Sequence, residues 1–198
     1  MLAGDPLLSS GDGHTELTDE DRDGLLPTYI ATRGELYDAE QANILRGLPT
    51  RPPSCDALLD DKYLRDLHRA MFGEVWAWAG KYRRRETNVG IDPLQIATEV
   101  RTLVDDVRTW VEQSTYERDE LALRFHARLV RIHPFPNGNG RHGRIAADYL
   151  VACLGGARFS WGAGEHVTTE ELRKQYLAAL RGADSTGEIA ALMLFART

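Results

Sequence analysis

Apolar residues return every three or four positions through most of this chain, and the runs are long enough to predict helices. The longest runs from Pro93 to Gln113, where Ile96, Val100, Leu103, Val104, Val107 and Val111 form one stripe that must face a core. A second, from Asp119 to Ile132, sets Leu121, Phe125, Leu129 and Ile132 on one face, and the apolar run Ile145 to Leu154 predicts a third, ended by Gly155 and Gly156. Upstream, 32–47 carries Leu36, Ala39, Asn43 and Leu45, and 60–72 carries Tyr63, Leu67, Ala70 and Met71 up to Gly73. On the second of these, His68 is expected on the surface or half-buried, while His126 on the 119–132 helix is expected to be structural. Near the end, Thr168 with Glu171 predicts a capped helix to about Leu180, and 187–196 predicts a last short one.

The remaining stretches do not continue this period. Residues 1–16, rich in Gly, Asp and Ser, predict a flexible arm, after which Thr18 is positioned to cap a short acidic helix. Asp19 to Gly24 begins like a calcium loop, but Ile30 stands where the closing carboxylate belongs. Glu74 to Ala79, with Trp76 and Trp78, predicts a short helix or an irregular packing segment. Residues 84–92, turn-rich and partly alternating, predict a short β-hairpin. The expected fold is therefore mainly α with one small hairpin, a single domain over 17–198.

Composition narrows the function classes. The chain has 198 residues, is 42% hydrophobic and 27% charged, and carries a net charge of −6, which argues against general affinity for nucleic acid or an anionic membrane. Its basic cluster, Lys81 to Arg85, is short, so a nucleic-acid patch is the weaker reading of it. No stretch approaches a membrane span, the start lacks a secretory pattern, and Cys55 and Cys153 read as two cysteines without a framework. Together these predict a cytosolic protein.

The chemistry concentrates in His133-Pro134-Phe135-Pro136-Asn137-Gly138-Asn139-Gly140-Arg141-His142-Gly143-Arg144. A glycine-flanked turn feeding a helix N-terminus gathers backbone N–H groups and the positive end of the helix dipole, and so binds anions. Arg141 and Arg144, three apart, can reach one polyphosphate, and His133 is a titratable base at the mouth of the loop.

This stretch resembles the signature of the Fic/Doc family, His-x-Phe-x-Asp/Glu-Gly-Asn-Gly-Arg-x-x-Arg, with every specified position matched except the acidic one, Asn137 here. Further segments, Arg33-Gly34-Glu35-Leu36 with Glu40-Gln41-Ala42-Asn43, Trp78-Ala79-Gly80-Lys81-Tyr82-Arg83 and Phe159-Ser160-Trp161-Gly162, resemble the subfamily called mobile mystery protein B. The resemblance implies a Fic-type helical bundle that transfers AMP from ATP to a Ser, Thr or Tyr hydroxyl of a target protein. His133 is then the base, and Gly138, Asn139, Gly140, Arg141 and Arg144 bind the nucleotide. The segment with Arg85, Thr87, Asn88, Val89 and Gly90 is the flap that docks the target. Phe135 anchors the loop in the core. Asn137 takes the place of a Mg²⁺ ligand and contributes no charge, which attenuates metal binding. In such proteins a helix before the core often carries an inhibitory glutamate that pairs with the second motif arginine. On 32–47 that glutamate is expected to be Glu35, with Glu40 as the alternative. An antitoxin-like regulator is among the partners the resemblance implies. Two other readings stay open: Doc-like phosphate transfer from the γ-position, and a non-catalytic nucleotide-dependent regulatory module.

Overall fold

The helices form where the periodicity places them, and their ends are fixed by side chains. The computed structural model describes residues 18–164 and 167–198, so the predicted arm over 1–16 lies outside the described residues. Thr18 caps α1 (Asp19–Asp23) and Thr32 caps α2 (Arg33–Gly47), each in a reciprocal capping box, with Asp21 and Glu35 returning the bond. The short α3 (Cys55–Leu58) and α4 (Asp61–Phe72) follow, capped by Ser54 and Asp60. A 3-10 turn (Pro93–Gln95) leads into α5 (Ile96–Glu112), then α6 (Arg118–Ile132), α7 (Asn139–Cys153), α8 (Thr169–Thr186) and α9 (Ala190–Arg197). The motif helix thus starts at Asn139, ahead of the apolar run that announced it.

The centre of the bundle is the packing of α6 on α7, with α5 covering α6 and α2 laid on α4. Leu121, Leu123, Phe125 and Leu129 from α6 share one buried core with Ala146, Ala147, Leu150 and Val151 from α7. Full burial of each large side chain contributes roughly 1.5–3 kcal/mol. Close approach is possible because position 143 is glycine: a Cβ there would stand 2.9 Å from Val130 Cγ2 and 3.1 Å from His126 Nδ1. Residues 74–79 are irregular, with buried Trp76 stacked on Trp78 at 4.8 Å.

Three expectations are corrected. Among the described residues 84–92 form no hairpin; the β pairing found is an isolated bridge between Leu25 and Trp76. Cys55 and Cys153 are joined in a disulfide that ties α3 to the far end of α7, so the argument for a cytosolic protein from unpaired cysteines does not hold. His68 is fully buried, on the line Leu64, His68, Phe72 that faces the core. The structural reading of His126 agrees with its burial and its contact with Tyr176. No helix among the described residues is long and apolar enough to cross a membrane.

Candidate nucleotide-binding site

The site is the turn between α6 and α7. His133 ends α6 in the left-handed conformation (φ 54, ψ 60), and Gly138 opens α7 in the same region (φ 79, ψ 0). For a non-glycine residue that backbone is costly, about 1–3 kcal/mol, and persists only where surrounding contacts fix it. Those contacts are present. Asn139 turns its buried amide back into the loop, accepting from Phe135 N–H at 2.9 Å and donating to Phe135 C=O at 2.8 Å. His68 accepts from Gly80 N–H through Nδ1 at 3.1 Å, so its Nε2 carries the proton and donates to Asn137 C=O at 3.0 Å. His142 likewise donates to Leu64 C=O at 2.9 Å, fastening α7 to α4. Phe135, fully buried, stacks on His68 at 3.8 Å and anchors the loop in the core. Gly138 is required twice, by its positive φ and because a Cβ would lie 2.7 Å from the Phe72 ring.

The arrangement leaves an anion-binding end. The first helical bond of α7 runs from His142 N–H to Gly138 C=O, so the N–H groups of Asn139, Gly140 and Arg141 have no carbonyl of their own helix to meet. Around Gly140 a Cβ would find nothing nearer than Tyr176 Oη at 3.8 Å, so this part of the turn is open. Arg144 lies over the Tyr176 ring at 5.1 Å, and Tyr176 in turn meets His126 Nε2 at 3.0 Å. Arg141 lies over Phe72 at 4.9 Å.

The two candidate acids of α2 have different partners. Glu35 is exposed, and its carboxylate accepts from the N–H groups of Ala31 and Thr32, each at 2.9 Å, in the cap of α2. Those bonds hold its pKa below the usual value. The acid at the site is Glu40, 4% exposed. Its Oε1 accepts from Trp76 Nε1 at 2.7 Å, and its Oε2 lies 2.7 Å from Arg141 Nη1, an ion pair too bent to count as a hydrogen bond. Among the described residues no carboxylate forms an ion pair with Arg144, the arginine expected to be blocked.

His133 is 7% exposed, and burial, then the charge of Arg83, pushes its pKa down to about 4; a bond to the Val130 backbone opposes the shift. The imidazole is therefore neutral at physiological pH. Asn137 Oδ1 accepts from Gly138 N–H at 2.6 Å, turned into its own loop. Among the described residues no group of three or more His, Cys, Asp or Glu is arranged to hold a metal ion. With one neutral, already engaged amide oxygen at the expected position, the residues present do not make a resident Mg²⁺ site.

Residues 84–92, expected to dock a target, lie against the loop and are held there by side chains. The buried guanidinium of Arg83 takes the carbonyls of this segment, and Arg85 pairs with Asp21. Thr87 caps the bend through the Val89 carbonyl, Asn88 is exposed, and Val89 is 45% exposed. Gly90 (φ 108) lies close against His133: a Cβ there would stand 2.7 Å from His133 Cβ. Of the basic cluster, Arg83 faces inward and Arg85 is paired, while Lys81 and Arg84 are exposed. Arg83, His68 and Tyr176 are site residues the sequence reading passed over. Signals existed for two of them: Arg83 stands in the Ala-Gly-Lys-Tyr-Arg segment, and His68 in the Leu64 to Phe72 line.

The helical bundle with this turn at its centre is a Fic fold. It superposes on the N-terminal Fic domain of a VirB-translocated Bep effector protein from Bartonella quintana, solved with bound ADP, at a TM-score of 0.67 and 20% identity, covering 86% of each chain. Residues 58–151 match the model of the Fic/DOC family. Among curated relatives it is similar to "Protein adenylyltransferase Fic" of Aedes aegypti, 26% identical over 142 residues, 66% of this chain and 28% of that one. It is also similar to "Probable protein adenylyltransferase y4lH" of Sinorhizobium fredii, 29% identical over 134 residues, 64% of this chain and 69% of that one. The chain therefore spans little more than a quarter of the insect relative's length.

Proposed function

We propose that this chain is a protein adenylyltransferase that moves AMP from ATP to a Ser, Thr or Tyr hydroxyl of a target protein, and that its own subfamily is mobile mystery protein B. The observation that carries the reading is one turn with a buried neutral imidazole at its entry and a helix N-terminus with two arginines at its exit. The N–H groups of Asn139, Gly140 and Arg141 receive the phosphates, and Arg141 and Arg144 neutralise the leaving end. The target oxygen attacks the α-phosphorus, the bond to pyrophosphate breaks, and the hydroxyl proton passes to His133. A base with a depressed pKa is a weak proton acceptor; a polyphosphate seated beside it brings negative charge that raises the pKa, so the nucleotide itself arms the base. Magnesium enters with ATP as part of the substrate. The relatives named adenylyltransferase and the neighbour with ADP support this reading.

Incubation with α- or γ-labelled ATP tests it. The α-label should stay on protein and disappear in His133→Ala, which should still bind ATP. Transfer of the γ-label points to phosphotransfer, and neither label on protein to a regulatory module.

A further inference from the structure

Arg83 is 3% exposed, among the most buried charged groups described, and its side chain is spent on carbonyls. Nε donates to His133 C=O at 2.7 Å, Nη1 to Arg85 C=O at 2.9 Å, and Nη2 to Ile91 C=O and to Ile132 C=O at 3.3 Å. Its own backbone N–H donates to Pro134 C=O at 2.9 Å. One guanidinium therefore joins the end of α6, the left-handed residue His133 and both ends of the 85–91 segment. Ile91 N–H, reaching Ile132 C=O at 3.5 Å, and Gly90, packed on His133, close the same unit. A merely space-filling residue needs no such set of bonds. A buried cation is costly, and a planar fork that reaches several acceptors at once is what only arginine supplies.

We propose that Arg83 is a positioning residue that locks the His133 turn to the 84–92 segment, so that a hydroxyl docked on that segment meets His133 in a fixed register. The proposal rests on the adenylyl-transfer reading and adds to it a residue outside the motif. Arg83 touches neither phosphate nor target; it acts through His133. Loss of the fork should leave phosphate binding, which Asn139 and His68 hold from the other side, while misplacing the base by enough to cost rate.

The test compares wild type, Arg83→Gln and Arg83→Lys by self-labelling with α-labelled ATP across pH, with ATP affinity by calorimetry and the His133 imidazole titrated by NMR. Arg83→Gln should lower kcat roughly tenfold or more with ATP affinity within about threefold. Arg83 is the charged group acting on the imidazole, so removing it should move the acid limb and the NMR pKa up from about 4 toward the ordinary value. Arg83→Lys keeps the charge and loses the fork: the rate should fall while the acid limb stays. General loosening of the fold would expose His133 and raise its pKa in both variants, whereas the positioning role raises it in Arg83→Gln and not in Arg83→Lys. Wild-type rates with unmoved limbs in folded variants overturn the proposal. If Arg83→Gln does not fold, Arg83→Lys decides alone, since a wild-type rate there shows that the fork does nothing. If wild type leaves no α-label, the adenylyl-transfer reading fails; an unchanged His133 titration in Arg83→Gln then overturns the Arg83–His133 coupling as well, and a rise in Arg83→Gln that Arg83→Lys does not show upholds it.

Discussion

Glu40 Oε2 lies 2.7 Å from Arg141 Nη1, so the first arginine of the motif is already paired with a buried carboxylate before any phosphate arrives. Glu40→Gln keeps the acceptor for Trp76 and removes the negative charge. Polyphosphate affinity should then rise by about tenfold, worth roughly 1.4 kcal/mol, because Arg141 no longer divides its charge. Calorimetric titration with ATP checks this; an unchanged Kd means that the pair orients Arg141 rather than competing for it. Glu35→Gln, which loosens only the cap of α2, should lower Tm slightly and leave the Kd alone.

Asn139→Ala removes both bonds that close the loop on Phe135. Each buried group left without a partner costs about 1–3 kcal/mol. The variant should melt well below wild type and transfer little, by thermal unfolding and α-labelling; a loss of transfer with full stability would place the Asn139 amide on the nucleotide instead.

Acid should unfold this domain steeply. Burial holds His126 near pKa 3, His133 and His142 near 4, and His68 well below its ordinary value. In the unfolded chain each titrates near about 6.5, so between about pH 6.5 and 4 the unfolded state binds up to four more protons. Stability from these groups is complete above the unfolded value and is lost as pH falls, by about 1.4 kcal/mol per pH unit for each fully engaged histidine. Denaturant melts from pH 7.5 to 4.5 measure the slope, and a flat profile would contradict the neutral, buried imidazoles.

Asn137→Asp places a charge beside the N-terminus of α7, where carboxylates are favoured, and supplies a hard oxygen to the metal that ATP carries. Half-maximal Mg²⁺ concentration should fall and the transfer rate should rise. If both stay fixed, position 137 does not meet the ion in this protein.

The helices were legible because their stripes are long and their caps are local: Thr18, Thr32 and Asp60 act within three residues of themselves. Glu35 was legible too, since Thr32-x-x-Glu35 is the capping-box spacing, the pattern used to place the helix after Thr168; its position on the first turn already accounted for the carboxylate. The hairpin failed for a non-local reason. Thr87, Val89 and Ile91 alternate as a strand would, but the carbonyls of Arg85 and Ile91 go to a guanidinium instead of a neighbouring strand. Arg83 itself was hidden in a run of basic letters, because its burial comes from carbonyls about fifty positions away in the chain. The motif arginines, by contrast, stand where their spacing put them, on the first turns of α7.

The bond between Cys55 and Cys153 spans 98 positions and encloses α4 to α7 with the whole motif. A protease that nicks an exposed loop inside this ring, at Val89 for example, opens the chain without separating it. The two pieces travel as a single band until a reductant is added, and the nicked molecule keeps its motif turn linked to the half of the ring that carries α4.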